Sequence, residues 1–448
     1  MVRIIIICYL ILLSLLLCMH MSTGTEIVID LKEHTLKNGL RLVMHENHSS
    51  PIISFQVWYH VGSIHERPGI TGISHLFEHM MFKGSKNVKP EEHSRIIQLN
   101  GGTDNAFTTR DFTAYFQNLP SSKLELAAHL EADRMEHLQL TNETLQSERK
   151  VVKEERRLRT DNSLFGKLNE GLYDAAFLEH PYRWPVIGWM SDLNTISLDT
   201  CKTFYQTYYT PGNATIIIVG DIDPGNTISV IEKYFGSLSA TVRFKDVIPP
   251  EPMQSQERQK EISADTQFPW LAIGYHIPNA ADDDIPALEL LGNILTVGRS
   301  SRLYRKLIYE EKAALSLFCT VDKNRNPGLF TITVGSIRKE YTPKLAETII
   351  SESLEKLKKE LVTEREIEKA RNKIETALIF GLQTNFVRGL RMGFSMERTG
   401  DPLWFLKDLD RYDRSAAEDI QRVAKKYFTP KNRTVVRLIP KEVTREKQ

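Results

Sequence analysis

The stretch TFYQTYYTPGNATIIIV, residues 203–219, closes a helix-like run on an aromatic pair, turns at Thr210-Pro211 and enters an apolar strand. Residues 423–438, VAKKYFTPKNRTVVRL, follow the same order of helix end, aromatic pair, Thr-Pro, Asn, Thr and strand. Pro211 and Pro430 stand 219 positions apart. A second pair agrees, because ISFQVWYHVGS at 53–63 and PWLAIGYHIPN at 269–279 both alternate like strands and carry Tyr-His, with His60 and His276 216 positions apart. Matching offsets at both ends of a unit mean a duplicated domain.

Each copy reads as strands, then helices, then a closing strand, an α+β pattern. The first copy opens with HTLKNGLRLVMHEN, two short strands about an Asn-Gly turn signal. A helix between Gly72 and Gly84 follows, another begins near Pro90, and residues 101–120 alternate as paired strands do. Long helices are predicted from about 122 to 160. The expected fold is therefore α+β, two homologous domains, each a mainly antiparallel sheet packed with helices on one side. The domains are drawn at 25–240 and 263–448, with a proline-rich polar linker over 241–262.

Ahead of both copies, Arg3 precedes an unbroken apolar run from Ile4 to Cys18 and then the small residues Ser22, Thr23 and Gly24. That is the pattern of a secretory signal over residues 1–24, too short to span a bilayer, and it points to a bacterial periplasm rather than to a mitochondrial presequence. Without it only Cys201 and Cys319 remain, too few for a disulfide framework, and they read as two buried thiols. Lys+Arg total 58 and Asp+Glu 57, with no basic face to suggest nucleic acid.

Chemistry concentrates in HLFEHMMFKGS, residues 75–85. Residues four apart share a helix face, so His75 and His79 can address one ion, with Glu78 on the neighbouring flank. A zinc ion lowers the pKa of a water it binds to about 7, and an adjacent glutamate can take the proton. This H-x-x-E-H order is the inverted form of the zinc-peptidase helix. Histidine pairs at this spacing also occur without metal, so the reading requires a third ligand. TNETLQSERKVVKEERRLR, residues 141–159, taken alone is a solvated charged face. It nevertheless carries Glu148 and Glu155 seven apart on one face, with Glu154 turned elsewhere. One carboxylate can bind the ion while the other orients water or a ligand.

With these go NGGTDNAFTTRDFTAYF at 100–116, SERKVVKEERR at 147–157 and LEHPYRWPVIGWMSDL at 178–193. Together they resemble the pitrilysin/insulinase family of inverted zinc peptidases over residues 28–440. The likeness is nearest to the short two-domain members, which include mitochondrial processing peptidase and bacterial zinc proteases. The resemblance implies a zinc metalloendopeptidase holding one Zn2+ per chain. His75, His79 and Glu155 would be its ligands, Glu78 the general base and Glu148 the supporting catalytic carboxylate. It also implies that peptide substrate adds to a sheet edge at Asn105, Ala106 and Phe107, where the alternative is an ordinary internal strand. His180, Pro181 and Tyr182 match a family motif but read as packing and turn residues. His65, His93, His129 and His137 lack a partner at ligand spacing.

The second copy departs from the family. Where related chains place an Arg and a Tyr seven apart to hold the substrate carbonyl, the stretch RSSRLYRKLIYEEKAALSL at 299–317 has Ile308 and Leu315, which cannot stabilise an oxyanion. Either Tyr304 or Tyr309 substitutes, or a second chain supplies the pair. The expected partner is a homologous chain in a heterodimer, with a homodimer as the alternative. Two rivals stand beside the peptidase: a structural subunit of the same fold, which usually lacks the ligands present here, and a metal-binding half that is inert alone.

Overall fold

The computed structural model describes residues 28–240 and 247–441. Leu31–Gln448 form one compact unit. The expected signal of residues 1–24 lies outside the described residues.

The first sheet has six strands, β1 (Lys32–Thr35), β2 (Arg41–Glu46), β3 (Ile52–Tyr59), β4 (Thr103–Thr108), β5 (Thr113–Pro120) and β6 (Ala214–Gly220), ordered β1-β2-β6-β3-β5-β4. β1 and β2 form the expected hairpin, with Gly39 at φ 93° supplying the turn. The second sheet runs β7 (Arg258–Ala264), β11 (Arg433–Pro440), β8 (Trp270–Ile277), β10 (Gly328–Ile337) and β9 (Ala314–Val321). Without β1, the two orders are the same. In each the closing strand pairs parallel with one neighbour, β2 or β7, and every other pairing is antiparallel. The duplicated α+β architecture is thus realised strand for strand.

The central strands are mostly apolar, as strands covered on both faces are, with Ser54, Gln56 and Thr215 as buried polar exceptions. β6 is buried at every residue and β3 at all but its first. The first half's own helices, α1 (Ile73–Met80), α2 (Glu92–Leu99), α3 (Leu124–His137), α4 (Asn142–Arg156) and the later α7 (Leu198–Tyr208) and α8 (Pro224–Phe235), build the core on one face. Between them in sequence lie α5 (Leu164–Ala176) and the short α6 (Met190–Thr195). In the second half come α9 (Ile285–Thr296), α10 (Pro343–Lys359), α11 (Glu364–Gly381), α12 (Asn385–Thr399), α13 (Trp404–Arg414) and α14 (Ala417–Tyr427).

The other face of each sheet is covered by a helix from the opposite half, which the sequence did not disclose. Leu168, Leu172 and Ala176 of α5 join Ala272, Leu329, Val436 and Leu438 of the second sheet in one core. Reciprocally, α12 lies on the first sheet, with Gly389 against Gln56 and Gly393 against the Trp58 ring. Gln56 Nε2 donates to Phe386 O at 3.0 Å. Of the expected linker, 241–246 lies outside the described residues and 247–257 has no regular element. Residues 258–262 are already strand β7, so the linker is shorter at that end than its polar composition suggested. Cys201 and Cys319 are unpaired thiols, the first buried and the second half-buried.

Candidate metal centre

The helix that carries the histidines is fixed at its start. Gly72 caps α1 at φ 88°, and a Cβ there would sit 2.5 Å from Ile187 O, so the PVIGW segment backs directly on the helix entry. Glu66, buried, accepts the N–H of Gly72 at 2.7 Å and of Ser74 at 2.8 Å, satisfying donors that a helix N-terminus otherwise leaves open. Leu76, Phe77 and Met80 anchor the helix in the core, which turns His75 and His79 toward a cavity of about 1210 Å³.

Glu155, from the last turn of α4, meets both rings. Its Oε2 lies 3.7 Å from His75 Nε2 and 3.3 Å from His79 Nε2, and donor atoms of the three residues lie within 4.8 Å of one another. Two nitrogens and one oxygen, converging with a side open to the cavity, fit the donor set of a catalytic zinc site. His75 Nδ1 is buried without a partner. Glu148, one helical repeat before Glu155, sits behind: its Oε2 is 3.6 Å from His79 Nδ1 and its Oε1 3.0 Å from Lys83 Nζ. That is where a carboxylate steadies a ligating imidazole.

The charges fit mutually. Burial, then the neighbouring His79 charge, lowers His75 to about 4. His79 is also penalised by burial, but hydrogen bonding to Glu148 and Glu155 outweighs this and raises it to about 9. Without a metal the pair is thus one neutral and one protonated imidazole facing carboxylates. Hydrogen bonding to His79 holds Glu155 below its usual range, and Arg159 also reaches Glu155 at 3.0 Å.

Glu78 stands on the same wall. Burial raises its carboxyl above the ordinary range, while Thr108 Oγ1 donates to its Oε2 at 2.7 Å and opposes that rise. Thr108 ends β4, whose Asn105, Ala106 and Phe107 also line the cavity. Among the described residues β4 pairs with β5 alone and is the last strand of its sheet, while the rest of the segment, β5, is internal. Thr108 and Arg110, to which the sequence pattern assigns no role, also belong to this wall. Arg110 lies 3.7 Å over the Tyr173 ring, and both line the cavity. His180 caps its own turn, its Nδ1 accepting from Tyr182 N at 3.1 Å, as a packing residue does. Ile308 packs in part against the second core, Leu315 is exposed on edge strand β9, and neither they nor Tyr304 and Tyr309 line the cavity.

The duplication allows a comparison within the chain. Thr141 and Thr363 each cap their helix in the same way, starting α4 and α11. Counting from those caps, Glu148 and Glu155 correspond to Ala370 and Ala377. α9, the counterpart of α1, contains no histidine. The second half keeps the scaffold and has none of the ligands.

Residues 41–188 match the family described as insulinase (peptidase family M16), and residues 195–374 match the peptidase M16 inactive domain. Zinc protease PqqE of Helicobacter pylori is 33% identical over 416 residues, covering 91% of this chain and 92% of that protein. The crystal structure of a protease from Helicobacter pylori superposes with a TM-score of 0.87 at 31% identity, over 92% of this chain and 100% of that one. The periplasmic protease PqqL from Escherichia coli shares the fold, with a TM-score of 0.74 at 18% identity. There, 93% of this chain corresponds to 48% of a longer one.

Proposed function

The chain belongs to the insulinase family of M16 peptidases, and from that premise we propose that it is a zinc-dependent metalloendopeptidase cutting peptides or unfolded segments. One observation carries the proposal: the donor atoms of His75, His79 and Glu155 converge within 4.8 Å, beside Glu78 and below an unpaired strand edge. His75, His79 and Glu155 would hold one Zn2+, which when bound supplies a Lewis acid that acidifies water and polarises a carbonyl. Glu78, its basicity raised by burial and its carboxylate fixed by Thr108, accepts the proton of the attacking water and returns it to the leaving amine. Glu148, tied to Lys83, keeps the His79 ring turned toward the cavity. Asn105, Ala106 and Phe107 take the peptide as an added strand, so main-chain hydrogen bonds give affinity with little sequence demand. Residues 25–240 form the catalytic domain in this reading, and the homologous domain from β7 onward contributes no zinc ligand.

A second chain completes the site. Neither Ile308 nor Leu315 reaches the cavity or can donate to an oxyanion, and the fold occurs in PqqL as half of a longer chain. We therefore assign a homologous partner in a heterodimer, with a homodimer as the alternative, and export to a periplasm directed by residues 1–24. Among the described residues no helix is long and apolar enough to cross a membrane.

The test uses a quenched unstructured peptide, the zinc-loaded mature chain and its Glu78→Gln variant, with zinc content measured in both. Cleavage lost in the variant at unchanged zinc supports a self-sufficient peptidase. Zinc bound with both proteins inert, and activity appearing on addition of a homologous chain, supports the paired form. Undiminished cleavage by Glu78→Gln would remove Glu78 from the mechanism.

A further inference from the structure

A second cavity, of about 340 Å³, opens in the other half beside α12 and is lined by Arg391, Phe394, Arg398, Lys323, Trp404 and Asp408 among others. Arg391 and Arg398 are seven residues apart and so share one face of the helix. Among the described residues no carboxylate comes within ion-pair distance of either guanidinium. Lys323 is held by Glu289 at 2.9 Å, and Asp408 is engaged by Arg411 at 2.7 Å. Trp404 has its buried indole N–H without an acceptor. Of the donors in the wall, Trp404 Nε1 is a buried atom without an acceptor, although buried polar groups are ordinarily satisfied, and the partly exposed guanidinium groups of Arg391 and Arg398 make no ion pair among the described residues. Burial holds the Arg398 guanidinium below its ordinary range, and the ring of Phe394 lies 4.8 Å beneath it.

The fold does not require these arginines. Ser163 and Thr384 cap α5 and α12 alike, which sets Arg391 opposite Glu170. In the first half Glu170 lines the metal-centre cavity and is paired with Arg156 at 2.8 Å. The residue corresponding to Arg156, counted from the helix caps, is Leu378. The charge is reversed and the corresponding partner position is apolar, so the cation is available to a group outside the chain. The cavity also abuts the candidate peptide edge, because Phe394 stacks on Phe107 of β4 with ring centroids 5.7 Å apart.

We propose that this cavity is an anion site that receives the terminal carboxylate of a peptide, with the last side chain resting on Phe394 and Trp404. Planar guanidinium groups suit a carboxylate, and the aromatic walls favour a carboxylate borne by an apolar residue. The peptide as the source of the carboxylate rests on the peptidase reading, whereas binding of the anion does not.

The test is calorimetric titration of the full mature chain in chelator, where no peptidase activity operates. The probes are N-acetyl-phenylalanine, its amide and inorganic phosphate. We expect the acid to bind, the amide not to bind, and Arg391→Gln and Arg398→Gln each to weaken the acid at least tenfold. Arg388→Gln, on the same helix but bonded to Leu382 O at 2.6 Å, should leave acid binding unchanged. Because a buried cation without a partner destabilises its host, Arg398→Met should raise the melting temperature of the free chain. Phosphate binding without acid binding, equal binding of acid and amide, or a lowered melting temperature in Arg398→Met would each overturn the assignment.

Discussion

Gly393→Ala tests the exchange of helices between the halves, the feature on which both sheets depend. An added Cβ would stand 2.1 Å from Trp58 Cζ2 and 2.2 Å from Cε2, against the ~3.5–4.0 Å at which carbon atoms rest. Trp58 cannot move aside. It is fully buried, its ring lies 5.0 Å from that of Phe112, 5.5 Å from Phe394 and 5.7 Å from Phe107, and its Nε1 donates to Gln56 Oε1 at 3.1 Å. Helix α12 must therefore lift from the sheet by about 1.5 Å. Overpacking of this kind costs ~1–3 kcal/mol and sometimes more, and contact with several atoms of a trapped ring belongs at the upper end. Alanine regains about 0.5–1 kcal/mol of helix propensity, so the net loss is about 2 kcal/mol. At a urea m-value of ~3 kcal/mol/M the unfolding midpoint falls by about 0.7 M. Gly381→Ala is the control, since its Cβ would meet Val387 Cγ1 at an ordinary 3.5 Å, and it should gain about 0.5 kcal/mol. A Gly393→Ala midpoint equal to or above wild type would refute the packing argument.

Zinc affinity should rise with pH. His79 is held protonated up to about 9 without metal, so binding below that pH must displace a proton, and affinity should change about tenfold per pH unit between roughly 6 and 8.5. Competition with a chelator measures it, and a flat profile would refute the charge assignment. Removing zinc should also lower the melting temperature, since ligand at 100 times its Kd contributes ~2.7 kcal/mol. Glu66→Ala leaves the N–H groups of Gly72 and Ser74 buried without acceptors, at ~1–3 kcal/mol each, and should weaken zinc binding because His75 follows Ser74 directly. An unchanged unfolding midpoint and zinc affinity would count against it. Thr108→Val deletes one hydrogen bond to Glu78, and kcat should fall ~5–10-fold at constant zinc content.

The duplication was legible because the aromatic pair, Thr-Pro turn and closing strand recur as a local pattern, and both copies fold to the same strand order. Helix periodicity made the pairs His75 with His79 and Glu148 with Glu155 legible, while the choice of Glu155 as the third donor was implied by the family resemblance. What stayed hidden is tertiary. The apolar faces of α5 and α12 look like those of any amphipathic helix, and nothing local says that each faces the other half's sheet. Strand β7 read as linker because it is an edge strand whose residues alternate between exposed and covered, leaving RQKEISA mostly polar. Glu66 gave no signal, since it caps a helix that starts several residues later across a loop. Arg159 read correctly as an exposed charge, yet it reaches Glu155 at 3.0 Å.

The helix exchange explains why a half that has none of the donor residues is still needed by the half that has them. Trp58 and Phe107 are sheltered by Phe394 of α12, and Phe107 belongs to the strand edge that borders the metal centre. Without α12 the buried outer face of β3 would meet water and the edge strand would lose its backing. In that half the positions corresponding to Glu148 and Glu155 are Ala370, buried in the second core, and Ala377, which is exposed. Arg391 and Arg398 line the second cavity, where the second half carries a cation in the place of Glu170 and another in the place of Phe177.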